Sequence, residues 1–241
     1  MKVSIVVPAF NEEKLLPVSL RSINAAAEAF RARGWDTELI VCDNNSTDRT
    51  AEVARAEGAQ VVFEPVNQIA RARNSGAAVA TGDWLVFVDA DSFPSRELFA
   101  DAAEAMTSGK FFGGGVTVRL DEFFLGMSFF TWLWNCTSRL KTWCAGSFIF
   151  CDAKAFREIG GFSAELFVSE ELDFSNRLKA LAKSRGKRLV ILTRHPLVTS
   201  ARKMHLYSHL DYVKLLLKLC FTRGKAVTER EACHIWYDGR R

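Results

Sequence analysis

Two hydrophobic periods alternate along the first part of the chain. Short apolar runs at residues 3–7, 38–42, 60–63 and 84–88 have the length of buried strands, and segments of helical period at 16–33, 48–57 and 67–80 lie between them. Pro8 reads as the stop of the first run, Pro17 fits a helix's first turn, and Gly34, Gly58 and Thr81-Gly82 read as helix ends. This alternation predicts an α/β fold: a mostly parallel twisted sheet flanked by helices on both faces. Such sheets bind ligands at the carboxyl ends of their strands, where Pro8, Asp43 and Asp89 fall.

After residue 95 the pattern loosens. A helix at 95–107 precedes a strand-like segment at 111–120 that opens on a glycine run. Residues 123–138 carry no charge. A strand at 147–151, a short helix at 153–159 ended by Gly160-Gly161, a helix at 170–184 with Leu172, Leu178 and Leu181 near one face, and a last strand at 188–192 follow. A basic amphipathic helix is expected at 207–221.

Composition narrows the class. The chain has 241 residues, of which 49% are hydrophobic, so a sizeable core is expected and global disorder is excluded. The opening MKVSIVVPAFNEE has a single Lys and no small-residue cleavage site, so no signal peptide is expected. The six cysteines (Cys42, Cys136, Cys144, Cys151, Cys220, Cys233) form no Cys-x-x-Cys pair and no zinc spacing. They read as reduced, mostly buried thiols of a cytoplasmic protein. The net charge of +4 is unevenly spread: residues 1–176 hold 16 Lys and Arg against 24 Asp and Glu, and residues 177–241 hold 16 against 4. A basic last quarter points to a phosphate-bearing or membrane-surface partner rather than nucleic acid, or to a solvated basic face.

The chemistry concentrates in WLVFVDADSFP, residues 84–94. An apolar run ends in two like charges, Asp89 and Asp91, which repel and resist burial. On an extended segment residues i and i+2 point the same way, so the pair can hold one hard cation, Mg²⁺ or Mn²⁺, and share it with substrate phosphates. The competing role is a helix cap, since Ser92, Pro94 and Ser95 precede the helix at 95. Asp43 ends the second strand in the same way. It can accept hydrogen bonds from a base or ribose, or serve as a turn residue among Asn44, Asn45, Ser46 and Asp48.

Taken together, VSIVVPAFNEE, VCDNNSTDRTAEVA and NQIARARNSGAAVATGDWLVFVDADSFP resemble the nucleotide-sugar-binding half of the family 2 glycosyltransferases, which have the GT-A fold. GSFIFCDAKAFREIGGFSAELFVSEELDFSNRLK resembles the acceptor half of that family. The resemblance implies a domain over residues 1–200, divided into a donor half at 1–92 and an acceptor half at 93–200, with a basic helical extension at 201–241. It implies that Pro8, Phe10 and Glu12 line a nucleotide pocket, that Asp43 recognises the base, and that Arg73 and Asn74 approach the donor. It places Asp89, Ala90 and Asp91 in the metal-binding Asp-x-Asp motif, with Mn²⁺ or Mg²⁺ as cofactor and Asp91 the more direct ligand. It assigns the catalytic base to Glu171, with Glu170 in reserve, although the family's usual residue at 171 is Asp. His205 or His195 stands as a third metal ligand, and Arg202 and Lys203 as a clamp over the diphosphate.

The implied reaction moves a sugar from a UDP- or GDP-linked donor to a saccharide or lipid-linked acceptor, with inversion at the anomeric carbon. A nucleotidyltransferase of the same fold class lacks support, because no Gly-rich activation loop is visible near the N-terminus. A nucleotide-sugar-binding or membrane-associated protein without catalysis is the other reading. The run FFLGMSFFTWLWNCTS at 123–138 is too short for a membrane span of roughly 20 residues. Together with the helix around Lys214 and Lys218 it leaves core packing, a homodimer contact or peripheral attachment to an anionic membrane open.

Overall fold

The computed structural model describes residues 1–122 and 125–202, with the side chains of 125–127 excepted. Lys203, His205, Cys220, Cys233 and the helix expected at 207–221 lie outside the described residues.

Among the described residues, eight strands form one sheet in the order β3-β2-β1-β4-β7-β6-β8-β5. The first four, β1 (Lys2–Ala9), β2 (Asp36–Asp43), β3 (Gln60–Phe63) and β4 (Trp84–Val88), are mutually parallel. The helices between them are α1 (Leu16–Arg31), α2 (Thr50–Ala56) and α3 (Ile69–Val79). β5 (Ser92–Phe93) and α4 (Arg96–Thr107) precede β6 (Phe111–Leu120). α5 (Leu125–Lys141), β7 (Phe148–Asp152), α6 (Ala153–Glu158), α7 (Glu170–Ser184) and β8 (Arg188–Thr199) complete the order. β7 runs antiparallel to both β4 and β6, while β6 and β8 are parallel.

The period-2 alternation of the central strands divides the core. On β4, Trp84, Val86 and Val88 join the cluster under α1 and α4, and Leu85 and Phe87 join the cluster under α3, α6 and α7. All five are buried, which is why the run reads as continuously apolar. In β6 the glycine run is part of the strand: a Cβ on Gly114 would sit 2.0 Å from the Val190 carbonyl oxygen of β8.

Two strand ends depart from the sequence expectation. β1 does not stop at Pro8 but runs to Ala9, paired with Asp43 of β2. Asn44 N–H donates to the Ala9 carbonyl at 2.8 Å, so Ala9 faces β2. Its neighbour Pro8 therefore turns its missing N–H toward β4, where the pairing has already ended at Val6–Phe87. β8 continues past residue 192 to Thr199, and a register shift between Val116–Leu192 and Val118–Leu197 absorbs Pro196. The four described cysteines are free thiols, and Cys42, Cys144 and Cys151 are buried.

Candidate functional site

The loops after β1 and β2 are tied together at the carboxyl edge of the sheet. Asn11 N–H donates to Ser46 Oγ at 3.0 Å, Thr47 N–H to Asn11 Oδ1 at 2.8 Å, and Glu12 N–H to Thr50 Oγ1 at 2.8 Å. Asp43 is buried and accepts from Ser46 N–H at 3.0 Å, as a turn aspartate does. Pro8 and Glu12 are buried and Phe10 is half-buried on the same edge.

The Asp-x-Asp segment is a turn rather than an extended strand: Ser92 N–H donates back to the Asp89 carbonyl at 3.1 Å. The two carboxylates consequently meet different cations. Asp89 Oδ1 accepts from Arg73 Nη2 at 3.1 Å, and Asp91 Oδ2 accepts from Arg202 Nη2 at 3.3 Å. Ala90 between them is buried. The pair does not cap α4; Ser95 does, accepting from Leu98 N–H at 3.2 Å.

Arg73 is the hub of the deeper side. Its side chain is buried, its Nη1 donates to Glu170 Oε1 at 2.6 Å, and its Nη2 also donates to the Gly146 carbonyl at 2.9 Å. The guanidinium lies 5.2 Å from the centroid of the Phe162 ring. A Cβ on residue 146 would stand 3.1 Å from Arg73 Nη2, close enough to press on the guanidinium, and 3.8 Å from Glu171 Cδ. Burial pulls the Arg73 pKa down, but Asp89, Glu170 and Glu171 together hold it above its ordinary value. Asn74, one residue on, faces away from this hub. Its amide brackets the Phe162 backbone, donating to the carbonyl at 2.8 Å and accepting from the N–H at 2.9 Å.

Glu170 and Glu171 open α7, and their environments differ. Glu170 is buried and held by Arg73. Glu171 is pushed up to about 8, first by burial and then by the adjacent Glu170 charge, with Arg73 pulling the other way. Ser169 makes no side-chain cap; it sits at φ 68°, the left-handed region that a non-glycine residue seldom enters. Asp89, Arg73, Glu170 and Glu171 line one cavity of about 210 Å³ together with the 146–147 turn and the 167–169 segment.

Arg202 closes the upper side. It is bonded to Glu12 as well as Asp91, and these two carboxylates hold its pKa up against the effect of burial. His195 is turned to the far side of the sheet, where Nδ1 lies 3.0 Å from Asp101 Oδ2 on α4. Among the described residues no group of three His, Cys, Asp or Glu forms a metal cluster. The donor set still fits a hard divalent cation held by one or two carboxylates plus substrate phosphates, because Asp91 already directs an oxygen at a cationic group.

Sequence reasoning did not single out Gly146 or Phe162, and it offered Ser169 only as a side-chain N-cap, which the structure does not form. The small residues of CAGS ahead of a strand were the available signal for Gly146. Nothing local marks Phe162 or the backbone of Ser169.

A mostly parallel sheet carrying acids at the carboxyl ends of β2 and β4, with β7 inserted antiparallel, defines a GT-A α/β fold. A solved mannosyltransferase from Pyrobaculum calidifontis, in complex with GDP-Man and Mn²⁺, shares it, with a TM-score of 0.67 and 20% identity over 88% of this chain and 59% of that one. The chain belongs to glycosyl transferase family 2, whose model matches residues 4–160. An uncharacterized glycosyltransferase of Mycobacterium tuberculosis is 42% identical over 89 residues, 37% of this chain and 36% of that protein. An undecaprenyl-phosphate 4-deoxy-4-formamido-L-arabinose transferase of an Enterobacter species is 34% identical over 97 residues, 37% of this chain and 29% of that protein. These matches span only about a third of the length of the curated relatives. Glu170, Glu171 and Arg202 all fall beyond the family-matched span.

Proposed function

We propose that the protein is a metal-dependent glycosyltransferase that moves a sugar from a nucleotide-diphosphate donor to an acceptor hydroxyl with inversion. The observation that carries this is the cavity shared by Asp89 of the Asp-x-Asp turn and Glu171, a half-buried carboxyl of raised pKa. Asp43 and the Pro8–Phe10–Glu12 edge receive the nucleoside, with UDP or GDP as the donor's carrier. Asp91, with Asp89, holds Mn²⁺ or Mg²⁺, which when bound neutralises charge developing on the leaving diphosphate.

Glu171 in its ionised form takes the proton from the acceptor hydroxyl. The freed oxygen bonds to the anomeric carbon as the carbon–oxygen bond to the diphosphate breaks, and the electron pair leaves with the nucleoside diphosphate. Glu170, fixed as the counter-ion of Arg73, is not free for that task. Glu171, one methylene longer than the family's aspartate, lines the cavity beside Gly146.

The acceptor side favours a lipid-linked substrate at an anionic membrane surface. No helix among the described residues is long and apolar enough to cross a membrane. α5 instead exposes Phe129, Phe130, Trp132 and Leu133 to solvent, with Arg139 and Lys141 in its last turn. Residues 177–202 add eight Lys and Arg and no acid. Arg139 and Arg188 line one surface groove of about 410 Å³ beside this helix. α5 leads directly into the 142–147 segment that reaches the cavity of Glu171. The name of the Enterobacter relative, which includes undecaprenyl phosphate, agrees with this reading.

Turnover of UDP- and GDP-linked sugars with Mn²⁺, wild type against Asp91→Ala, tests the proposal. Metal-dependent release of nucleoside diphosphate that the variant loses supports it. Tight donor binding with no turnover on any acceptor would make the protein a binding module.

A further inference from the structure

Arg202 places one terminal nitrogen, Nη2, against two carboxylates that come from opposite sides of the donor edge: Glu12 on the loop after β1 and Asp91 on the turn after β4. The side chains are 16%, 6% and 14% exposed, so water screens the cluster poorly. Two carboxylates that converge on one small volume in a poorly hydrated place need a cation there. In this structure the cation is the protein's own.

The segment that carries Arg202 is stitched to the metal turn. Ser92 pairs with Thr199 across β5 and β8, Ser200 N–H donates to the Asp91 carbonyl at 2.9 Å, and Ala201 N–H donates to Asp121 Oδ1 at 2.8 Å. The guanidinium is therefore delivered to Asp91 by backbone bonds that do not depend on a ligand.

We propose that Arg202 is a resident cation of the donor site, which the divalent ion must displace from Asp91 before the donor can seat. The inference rests on Asp91 as a metal ligand. A divalent ion and a guanidinium cannot both approach the same carboxylate oxygen closely, since like charges repel. Metal alone binds against this competition. A metal–nucleoside diphosphate complex does not suffer the same loss, because the displaced guanidinium finds the diphosphate oxygens within reach and pairs with them bidentately. Arg202 thus makes the site select the complex over the free ion, and its effects on the two ligands have opposite sign. A plain diphosphate clamp lowers affinity for nucleotide when removed and leaves the free-ion affinity untouched.

Mn²⁺ binding to the full chain, followed by the loss of the free-ion spin-resonance signal, separates these roles. Wild type, Arg202→Gln, Arg202→Lys and Asp91→Asn are titrated with Mn²⁺ alone, and then with UDP or GDP at saturating Mn²⁺. Arg202→Gln is expected to bind Mn²⁺ alone about tenfold tighter, the equivalent of one lost charge-assisted competitor, and the nucleotide about tenfold more weakly. Arg202→Lys falls between wild type and Arg202→Gln for both ligands. It also keeps the charge in place should the Gln variant fold poorly, as judged by its circular dichroism. Unchanged Mn²⁺ affinity in both Arg202 variants, with the Asp91→Asn defect intact, overturns the resident-cation role alone. Unchanged Mn²⁺ affinity in Asp91→Asn overturns the metal assignment and this inference with it.

Discussion

Arg73 and Glu170 form a 2.6 Å ion pair whose side chains are 1% and 4% exposed, and the same guanidinium reaches Asp89 at 3.1 Å. One buried cation thus joins the Asp-x-Asp turn after β4 to the acid pair that opens α7. Removing one partner of a buried pair strands the other, so Arg73→Met should lower unfolding stability by about 3–5 kcal/mol. Chemical denaturation near neutral pH measures this. A loss below about 1 kcal/mol would show that the pair is hydrated and does not hold α7 to the sheet.

As the proposed base, Glu171 has to be ionised to accept a proton, and its pKa is pushed up to about 8. The kcat/KM of the free enzyme should therefore rise with pH through about 8 and then level off. Glu170→Gln removes a neighbouring negative charge and should move that limb to lower pH. Glu171→Gln should reduce kcat by about 10²–10⁴. The linkage runs in the opposite sense for stability. A carboxyl whose folded pKa lies above its unfolded one contributes stability that is full below about 4.5 and is lost as pH rises through about 8. Glu171→Gln should accordingly unfold at higher denaturant than wild type above pH 8, and a variant less stable than wild type there contradicts the burial argument.

Glu38 offers a test of the opposite sign, away from the site. Its carboxylate accepts from Ser4 Oγ at 2.5 Å and Thr81 N–H at 2.7 Å and pairs with Lys2 Nζ at 2.6 Å, joining β1, β2 and the turn before β4. Burial alone would raise its pKa, but these partners lower it to about 2. Its contribution is present above about 4.5 and is lost as pH falls toward 2. Glu38→Gln should cost about 1.5–3 kcal/mol at pH 7 and much less at pH 3. Equal losses at both values would mean that packing, not charge, is what Glu38 supplies.

The exposed face of α5 sets a fourth expectation. With vesicles containing anionic phospholipid at low salt, the full chain should co-sediment, and Phe129→Ser with Trp132→Ser should weaken that binding about tenfold or more. Raising salt should release the remainder by screening the basic groove. Protein that stays in the supernatant and instead elutes as a dimer disrupted by the same pair of changes would assign the face to a second copy.

Much of this was legible in the chain because strand ends carry their own punctuation. Trp84 to Val88 followed by Asp89 needed only the apolar run and the charges after it to place the acids at the sheet edge. Asp43 after the 38–42 run was readable for the same reason, and α7 from its leucine spacing. What stayed hidden was set by contacts between distant parts of the sequence. Arg202 meets Glu12 across 190 positions and Arg73 meets Glu170 across 97, and no local window contains either pair. The direction in which Asp89 and Asp91 point depended on a turn bond to Ser92 that an alternation rule does not foresee. Asn74 sits beside Arg73 in sequence, yet a helix turns successive side chains about 100° apart, and its amide holds Phe162 instead.

The pairing of Ser92 with Thr199 has a consequence for how the protein comes into being. The turn bearing Asp91 is synthesised early, but the strand that braces it and the arginine that faces it emerge more than a hundred residues later. The first ninety-odd residues carry the sequence of the parallel β3-β2-β1-β4 strands and of the acidic turn, but not the β8 strand that braces it. This edge of the sheet is thereby completed only once β8 has been made, after the acid pair that opens α7.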